Sequence, residues 1–285
     1  MLISRYVQNK NVRLFCEAIG EASDPAAILI CGAGAHAHFW TDTFCETLVR
    51  AGYYVIRFDH RDCGLSSSVD FEKEPYTVLD LVSDVIAIID AFKIQKAHVV
   101  GHSMGGTIAQ LLSIFHPDRL LSFTSMSVGT LGENIAPSQE VMKALLENKP
   151  TENFERSLPG FMKVWKFLNG DFPLDEKMAR DYTKEFYARS IHPVGVAWNH
   201  IHCQENVPDF SSKLSQVTIP GLFLHGEKDL LIPLKTLKKT SPSATQIMIP
   251  KMGHMILNQE LQQMLAHLLL AHSAQASTIK KLNKI

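Results

Sequence analysis

Short apolar runs alternate with helical patterns along most of this chain, and few folds accommodate that rhythm. "VRLFCEA" reads as an early strand, and "AAILIC" as a buried strand running into a Gly-Ala-Gly loop. "YYVIRFD" is the next strand. In "YTVLDLVSDVIAIIDAF" the residues Val78, Leu81, Val82, Val85, Ile89 and Phe92 then recur at helical spacing. Thr77 with Asp80 forms a capping-box pattern at the start of that helix. "AHVVG" is a strand, followed by a helix with Ile108, Leu111, Leu112 and Phe115 on one face and Pro117 as its stop. "LLSFTSMS" is a further strand. Such alternation implies a mostly parallel sheet with helices on both faces, the α/β class.

From about Leu131 to Val207 the rhythm changes. No strand pattern occurs there, and helical stretches fall around "SQEVMKALLENK", "LPGFMKVWKFLNG", "DEKMARDYTKEFYARS" and "VGVAWNHIHCQ". Alternation then resumes with "VTIPGLFLHG" and "ATQIMIP" as strands and "MILNQELQQMLAHLLLAH" as a last amphipathic helix. The expected organisation is a core made of residues 1–130 and 208–273, a helical cap insertion over 131–207, and a flexible C-terminal tail over 274–285. A chain of 285 residues that is 46% apolar is ample for this.

A net charge of −1 gives no basic field for nucleic acid. The N-terminal stretch has charges too early for a secretory signal, and no apolar run approaches the ~20 residues that span a membrane. Five scattered cysteines without a C-x-x-C read as reduced thiols, and hence as a cytoplasmic protein. The expected partner is a small molecule, and the expected state a monomer or homodimer.

Against that background "VVGHSMGGTIAQ" stands out, because Gly101-x-Ser103-x-Gly105 lies between a strand and a helix. A tight turn there strains the serine backbone, requires neighbours without bulk, and lifts the hydroxyl above the sheet at a helix N-terminus. A serine needs a base oriented by an acid. "LFLHGEKDLLIP" puts Asp229 after a late strand, and "IPKMGHMIL" puts His254 after the last one. The loop after "LLSFTSMS" opens Ser127-Val128-Gly129 and offers no carboxylate, which favours Asp229 as the acid. The Met104 N–H, directly after the serine, and the Ala33 N–H in "ICGAGAHAHFW" are the expected oxyanion donors.

"GHSMGG", "HGEKD" and a later "GH", with "CGAGAHAHFW" near the start, resemble the α/β-hydrolase fold over nearly the whole chain. "VIRFDHRDCGLS" more narrowly resembles the methylesterases of anthracycline-antibiotic pathways and related bacterial carboxylesterases, which carry a similar D-H-R-D-x-G-x-S run. The resemblance implies hydrolysis of a small or medium apolar carboxylic ester through an acyl-serine, without metal or cofactor, under a helical cap. The family's loop often begins His-Gly or Gly-Gly, where this chain has Cys31-Gly32-Ala33. Lactonase, thioesterase, carbon–carbon hydrolase or acyltransferase chemistry fits the same three residues, and a ligand receptor without turnover is the alternative from another class. Ser103 argues against the aspartate nucleophile of dehalogenases and epoxide hydrolases on this fold.

Gly32, Gly34, His36, His102, Trp165 and Trp198 are candidates to line the pocket. Arg57, Asp59, Arg61 and Asp62 read better as an ion-pair network pinning their loop than as substrate contacts. The pairs His36/His38 and His200/His202 lack the continuation of catalytic zinc sites, so no metal is expected.

Overall fold

The computed structural model describes residues 2–132, 137–190, 196–205, 208–233, 235 and 242–282. In chain order the elements are β1 (Leu2–Asn9), β2 (Val12–Ile19), β3 (Ala26–Ile30), α1 (Asp42–Arg50), β4 (Tyr54–Phe58), α2 (Val78–Ala91), β5 (Ala97–His102), α3 (Met104–Phe115) and β6 (Leu120–Met126). Four helices follow: α4 (Gln139–Glu147), α5 (Phe154–Leu168), α6 (Glu176–Arg189) and α7 (Val196–His202). The one-turn α8 (Ser211–Leu214), β7 (Gly221–Gly226), β8 (Ala244–Ile249) and α9 (Gln259–Leu282) complete the chain. The eight strands form one sheet in the order β1-β2-β4-β3-β5-β6-β7-β8. Strands β3 to β8 are mutually parallel, and β2 runs against both its neighbours.

Strands β3, β4, β5 and β7 are buried at every position, as expected of strands covered on both faces. The period of two divides their side chains between two cores. Ile28, Ile30 and Val99 face the core under α2 and α3, with Leu81, Val85, Ile108 and Leu112. Leu29, Val55 and Val100 face the core under α1 and α9, with Phe44, Leu48, Leu261 and Leu265. The capping box at Thr77 and Asp80 is formed.

Three elements depart from the sequence pattern. β1 adds an eighth strand at the sheet edge, and α1 forms after a Thr41 cap. At the other end, α9 continues through Leu282, into the stretch read as a tail. Leu265, Leu269, Ser273 and Ala276 stay buried along its length because their spacing keeps one face on the core.

Helices α4 to α7 lie between β6 and β7, where the insertion was expected; its proposed end at 207 lies outside the described residues. The segment between α5 and α6 is stitched to the loop after β8. Met255 N–H donates to Leu168 O (2.9 Å), Asp175 N–H to Leu257 O (2.9 Å) and Asp171 N–H to Lys251 O (2.7 Å). The buried Asn169 adds its side chain, accepting from Leu257 N–H (3.1 Å) and donating to Phe172 O (2.9 Å). No helix among the described residues is long and apolar enough to cross a membrane.

Candidate active site

β5 passes into α3 through Ser103, whose backbone sits at φ 53°, ψ −122°. Neighbouring glycines make the turn tight enough: a Cβ on Gly101 would stand 1.9 Å from Gly105 O, and one on Gly105 2.3 Å from Ile30 O. Ser103 N–H donates to Met126 O (2.8 Å), tying the turn to β6, while Ser103 O accepts from Gly106 N–H (2.7 Å). The hydroxyl is thus held at the carboxyl end of the sheet, where parallel folds place their chemistry.

Asp229 follows β7 in a turn that its own carboxylate organises. Oδ1 accepts from the N–H groups of Leu231 (3.0 Å) and Ile232 (2.8 Å), leaving Oδ2 for His254 Nδ1 at 2.9 Å. Burial raises this carboxyl, but the neighbouring His254 and the Ile232 N–H outweigh it and hold the group below the usual range. His225, at the end of β7, donates from Nε2 to Ile232 O (2.8 Å) and so braces the same turn.

His254 lies in the loop after β8. With Nδ1–H committed to Asp229, its Nε2 faces Ser103 Oγ at 3.2 Å. The residue beside the serine supports it: His102 Nε2–H donates to the His254 carbonyl at 2.8 Å. Burial pushes His102 down to about 3, so it is a neutral donor across the neutral range.

The structure therefore brings Ser103, His254 and Asp229, from three separate loops, into one hydrogen-bonded line. Beside it, Gly32 packs so closely that a Cβ there would lie 3.1 Å from Ser103 Cβ. Ala33 and Gly34 are half-buried next to it. Met104 opens α3, so its N–H has no acceptor within the helix.

The other pocket candidates divide. His36 is fully buried, stacks on Tyr182 (4.5 Å between centroids) and donates from Nε2 to Tyr182 O (3.4 Å), so it fastens the loop to α6. Trp165 donates from its indole N–H to Thr183 Oγ1 (3.0 Å) and touches Tyr182 edge-on. Phe39 links that group to His102, with ring centroids 4.7 Å apart. Trp198 is 47% exposed and stacks on His202, away from this aromatic run. A cleft of about 430 Å³ opens between residues 38–44, which run into α1, and α6 and the start of α9; Ser103, Asp229 and His254 are not among its lining residues.

The charged run from Arg57 of β4 into the following loop is an ion-pair network. Asp59 accepts from the N–H groups of Ala37 (2.8 Å) and Leu65 (2.9 Å) and pairs with Arg189 of α6 (2.7 Å). Arg61 grips Asp84 with two nitrogens, at 2.8 and 2.7 Å, and Arg57 pairs with Glu17 at 2.8 Å. Position along the chain does not announce the supporting role of Asn169. Its Leu257 partner is 88 residues away and only the fold brings the two together.

Comparison with known proteins agrees with this architecture. The family model described as "alpha/beta hydrolase fold" matches residues 25–261. Rhodomycin D methylesterase DnrP of Streptomyces peucetius is 32% identical over 96% of this chain and 99% of its own length. A 2-hydroxy-6-oxononadienedioate/2-hydroxy-6-oxononatrienedioate hydrolase of Cupriavidus pinatubonensis is 26% identical over 88% of this chain and 89% of its own. Among solved structures, a meta-cleavage product hydrolase from Pseudomonas fluorescens superposes with a TM-score of 0.76 at 19% identity, covering 96% of this chain and 98% of that one. With its strand order, its strained serine turn and a family match over most of its length, the chain belongs to the α/β-hydrolase fold family.

Proposed function

We propose that this chain is a carboxylesterase of methylesterase type, cleaving a small or medium apolar ester through an acyl-serine intermediate. The observation that carries the reading is the line Ser103 Oγ, His254 Nε2, His254 Nδ1, Asp229 Oδ2, with steps of 3.2 and 2.9 Å. The likeness to a rhodomycin D methylesterase over nearly the whole of both chains supports an ester as the substrate class.

Ser103 attacks the carbonyl carbon as His254 takes its proton. Asp229 orients the imidazole and stabilises its charged form. The N–H groups of Met104 and Ala33 receive the oxyanion, helped by the N-terminal dipole of α3. His254 then returns the proton to the leaving alcohol, and water repeats the attack on the acyl-enzyme. Helices α4 to α7 act as the cap, and their aromatic side chains Trp165 and Tyr182 supply apolar wall. The five thiols, each buried and unpaired, suit a reducing cytoplasm.

The test is intact mass after treatment with a small fluorophosphonate, on wild type and on Ser103→Ala. One adduct on wild type and none on the variant is expected. An unmodified wild type overturns the reading.

A further inference from the structure

Among the described side chains of α7, His200 is fully buried and reaches down to the core loops. Its Nε2 lies 2.8 Å from Arg61 O, which is an acceptor only, so the ring hydrogen sits on Nε2. That leaves Nδ1 as a lone pair, and Gly34 N–H donates to it at 3.0 Å. Burial pushes the imidazole below its ordinary range, which keeps this tautomer neutral. Its other neighbours include the Cys63 thiol, 4.0 Å from Nδ1, the rings of His60 and Tyr76, met edge-on, and the charges of Asp62 and Arg61.

Gly34 is the residue after Ala33. The Ala33 N–H is therefore bracketed on both sides. Its own peptide plane carries Gly32 O, which accepts from Ala35 N–H at 3.2 Å, and the next plane carries the Gly34 N–H held by His200. Gly34 sits at φ 71°, a backbone state with little intrinsic preference to hold the loop by itself. Seating α7 does not require His200, because Asn199 Nδ2 donates to Asp62 Oδ2 (3.2 Å) and Val78 N–H to Cys203 O (2.9 Å). The His200–Gly34 bond instead reaches the loop that faces Ser103.

We propose that His200 is a positioning residue of the reaction: by accepting the Gly34 N–H it aims the Ala33 N–H at the oxyanion, so the oxyanion hole is complete only when α7 is seated. This rests on the serine-esterase reading above. It gives the inserted segment a part in the chemical step as well as in covering the site.

The experiment compares kcat and KM for p-nitrophenyl acetate, with thermal melts, in wild type, His200→Phe and His200→Asn. Phenylalanine fills the site without an acceptor. Asparagine keeps an oxygen near the Nδ1 position. Removing an oxyanion donor outright costs about 10²–10³ in kcat, so misaiming one should cost His200→Phe roughly ten- to a hundredfold, with KM little changed. His200→Asn should keep most of kcat. Should His200→Phe fail to fold, His200→Gln, whose amide reaches the Nε2 position, takes its place with the same expected loss. A folded His200→Phe with wild-type kcat overturns the proposal, as does an equal loss in both variants or a change confined to KM. Fluorophosphonate labelling separates the two levels. Wild type labelled at Ser103 with no kcat loss in His200→Phe sinks the positioning role alone, and wild type unlabelled at Ser103 sinks both.

Discussion

Ser103 occupies a backbone conformation that residues with a Cβ rarely adopt. Such a state costs of order 1–3 kcal/mol and persists because the surroundings over-determine it. Here the determinants are the Met126 carbonyl on one side and the first turn of α3 on the other. The strain and the chemistry therefore pull in opposite directions at one residue. Ser103→Ala and Ser103→Gly both remove the hydroxyl, and turnover should fall on the order of 10³-fold or more in each. Only glycine also releases the strain. Glycine's larger unfolded-state entropy offsets about 0.4–1 kcal/mol of that gain. Urea denaturation should then find Ser103→Gly more stable than Ser103→Ala by about 1 kcal/mol. Equal stabilities would mean that the turn stores no more strain than this offset, about 0.4–1 kcal/mol. The same residue scale explains what was legible in the sequence. Ser103, Asp229 and His254 stand out by chemical type and by place after a strand. His102 and His200 do not, because each meets one carbonyl or one N–H on a loop distant in sequence, and the His225 contact to Ile232 O, seven residues on, exists only once the Asp229 turn closes.

At the scale of elements, the parallel strands were readable because burial on both faces makes them continuous apolar runs. β1 was not readable. Leu2, Ser4, Tyr6 and Gln8 on one face are all exposed, the other face buries only Val7 fully, and pairing with β2 holds the strand to the sheet edge. The helices of the insertion follow from their spacing, but the face each turns to the core does not. α6 is the clearest case, since it meets the core through charge. His38, in the loop after β3, lies 2.8 Å from Glu17 of β2 and 2.5 Å from Glu185 of α6, with Arg57 close by. Burial lowers His38, but the two carboxylates outweigh it and raise the group to about 9. Burial raises Glu17, but the His38 and Arg57 partners bring it down to about 2. A histidine that binds its proton more tightly when folded contributes fully below its unfolded value near 6.5, and that contribution fades as pH rises through about 9. Glu17 works in the opposite sense and loses its contribution only as pH falls from 4.5 through about 2. The stability difference between wild type and His38→Gln should therefore be largest near pH 6 and shrink steadily towards pH 10. Melts at pH 6, 8 and 10 measure it, and a difference that stays flat would show that His38 is not the charged partner in this clamp.

For the whole molecule the question is whether the insertion is a unit of its own. Its helices are contiguous in sequence, which suggests independence, but its bonds point outward. Three backbone hydrogen bonds and the Asn169 side chain join the α5–α6 segment to the loop of His254. α6 adds Arg189 to Asp59, Glu185 to His38 and the Tyr182 carbonyl to His36. Separating the two parts would exchange each of these bonds for water, at a net cost of about 0.5–1.5 kcal/mol each, more for the charged pairs. That total is comparable with the stability of an ordinary domain. Unfolding should accordingly be cooperative across both parts. In a Trp40→Phe, Trp198→Phe background the remaining Trp165 reports on α5, while far-ultraviolet circular dichroism reports on the whole. The two urea midpoints should coincide, and Asn169→Ala, which strands the Leu257 N–H, should move both down together. If Trp165 changed first while the sheet signal held, the insertion would be a separately melting lid. The loop of His254 would then keep its place without the segment stitched to it.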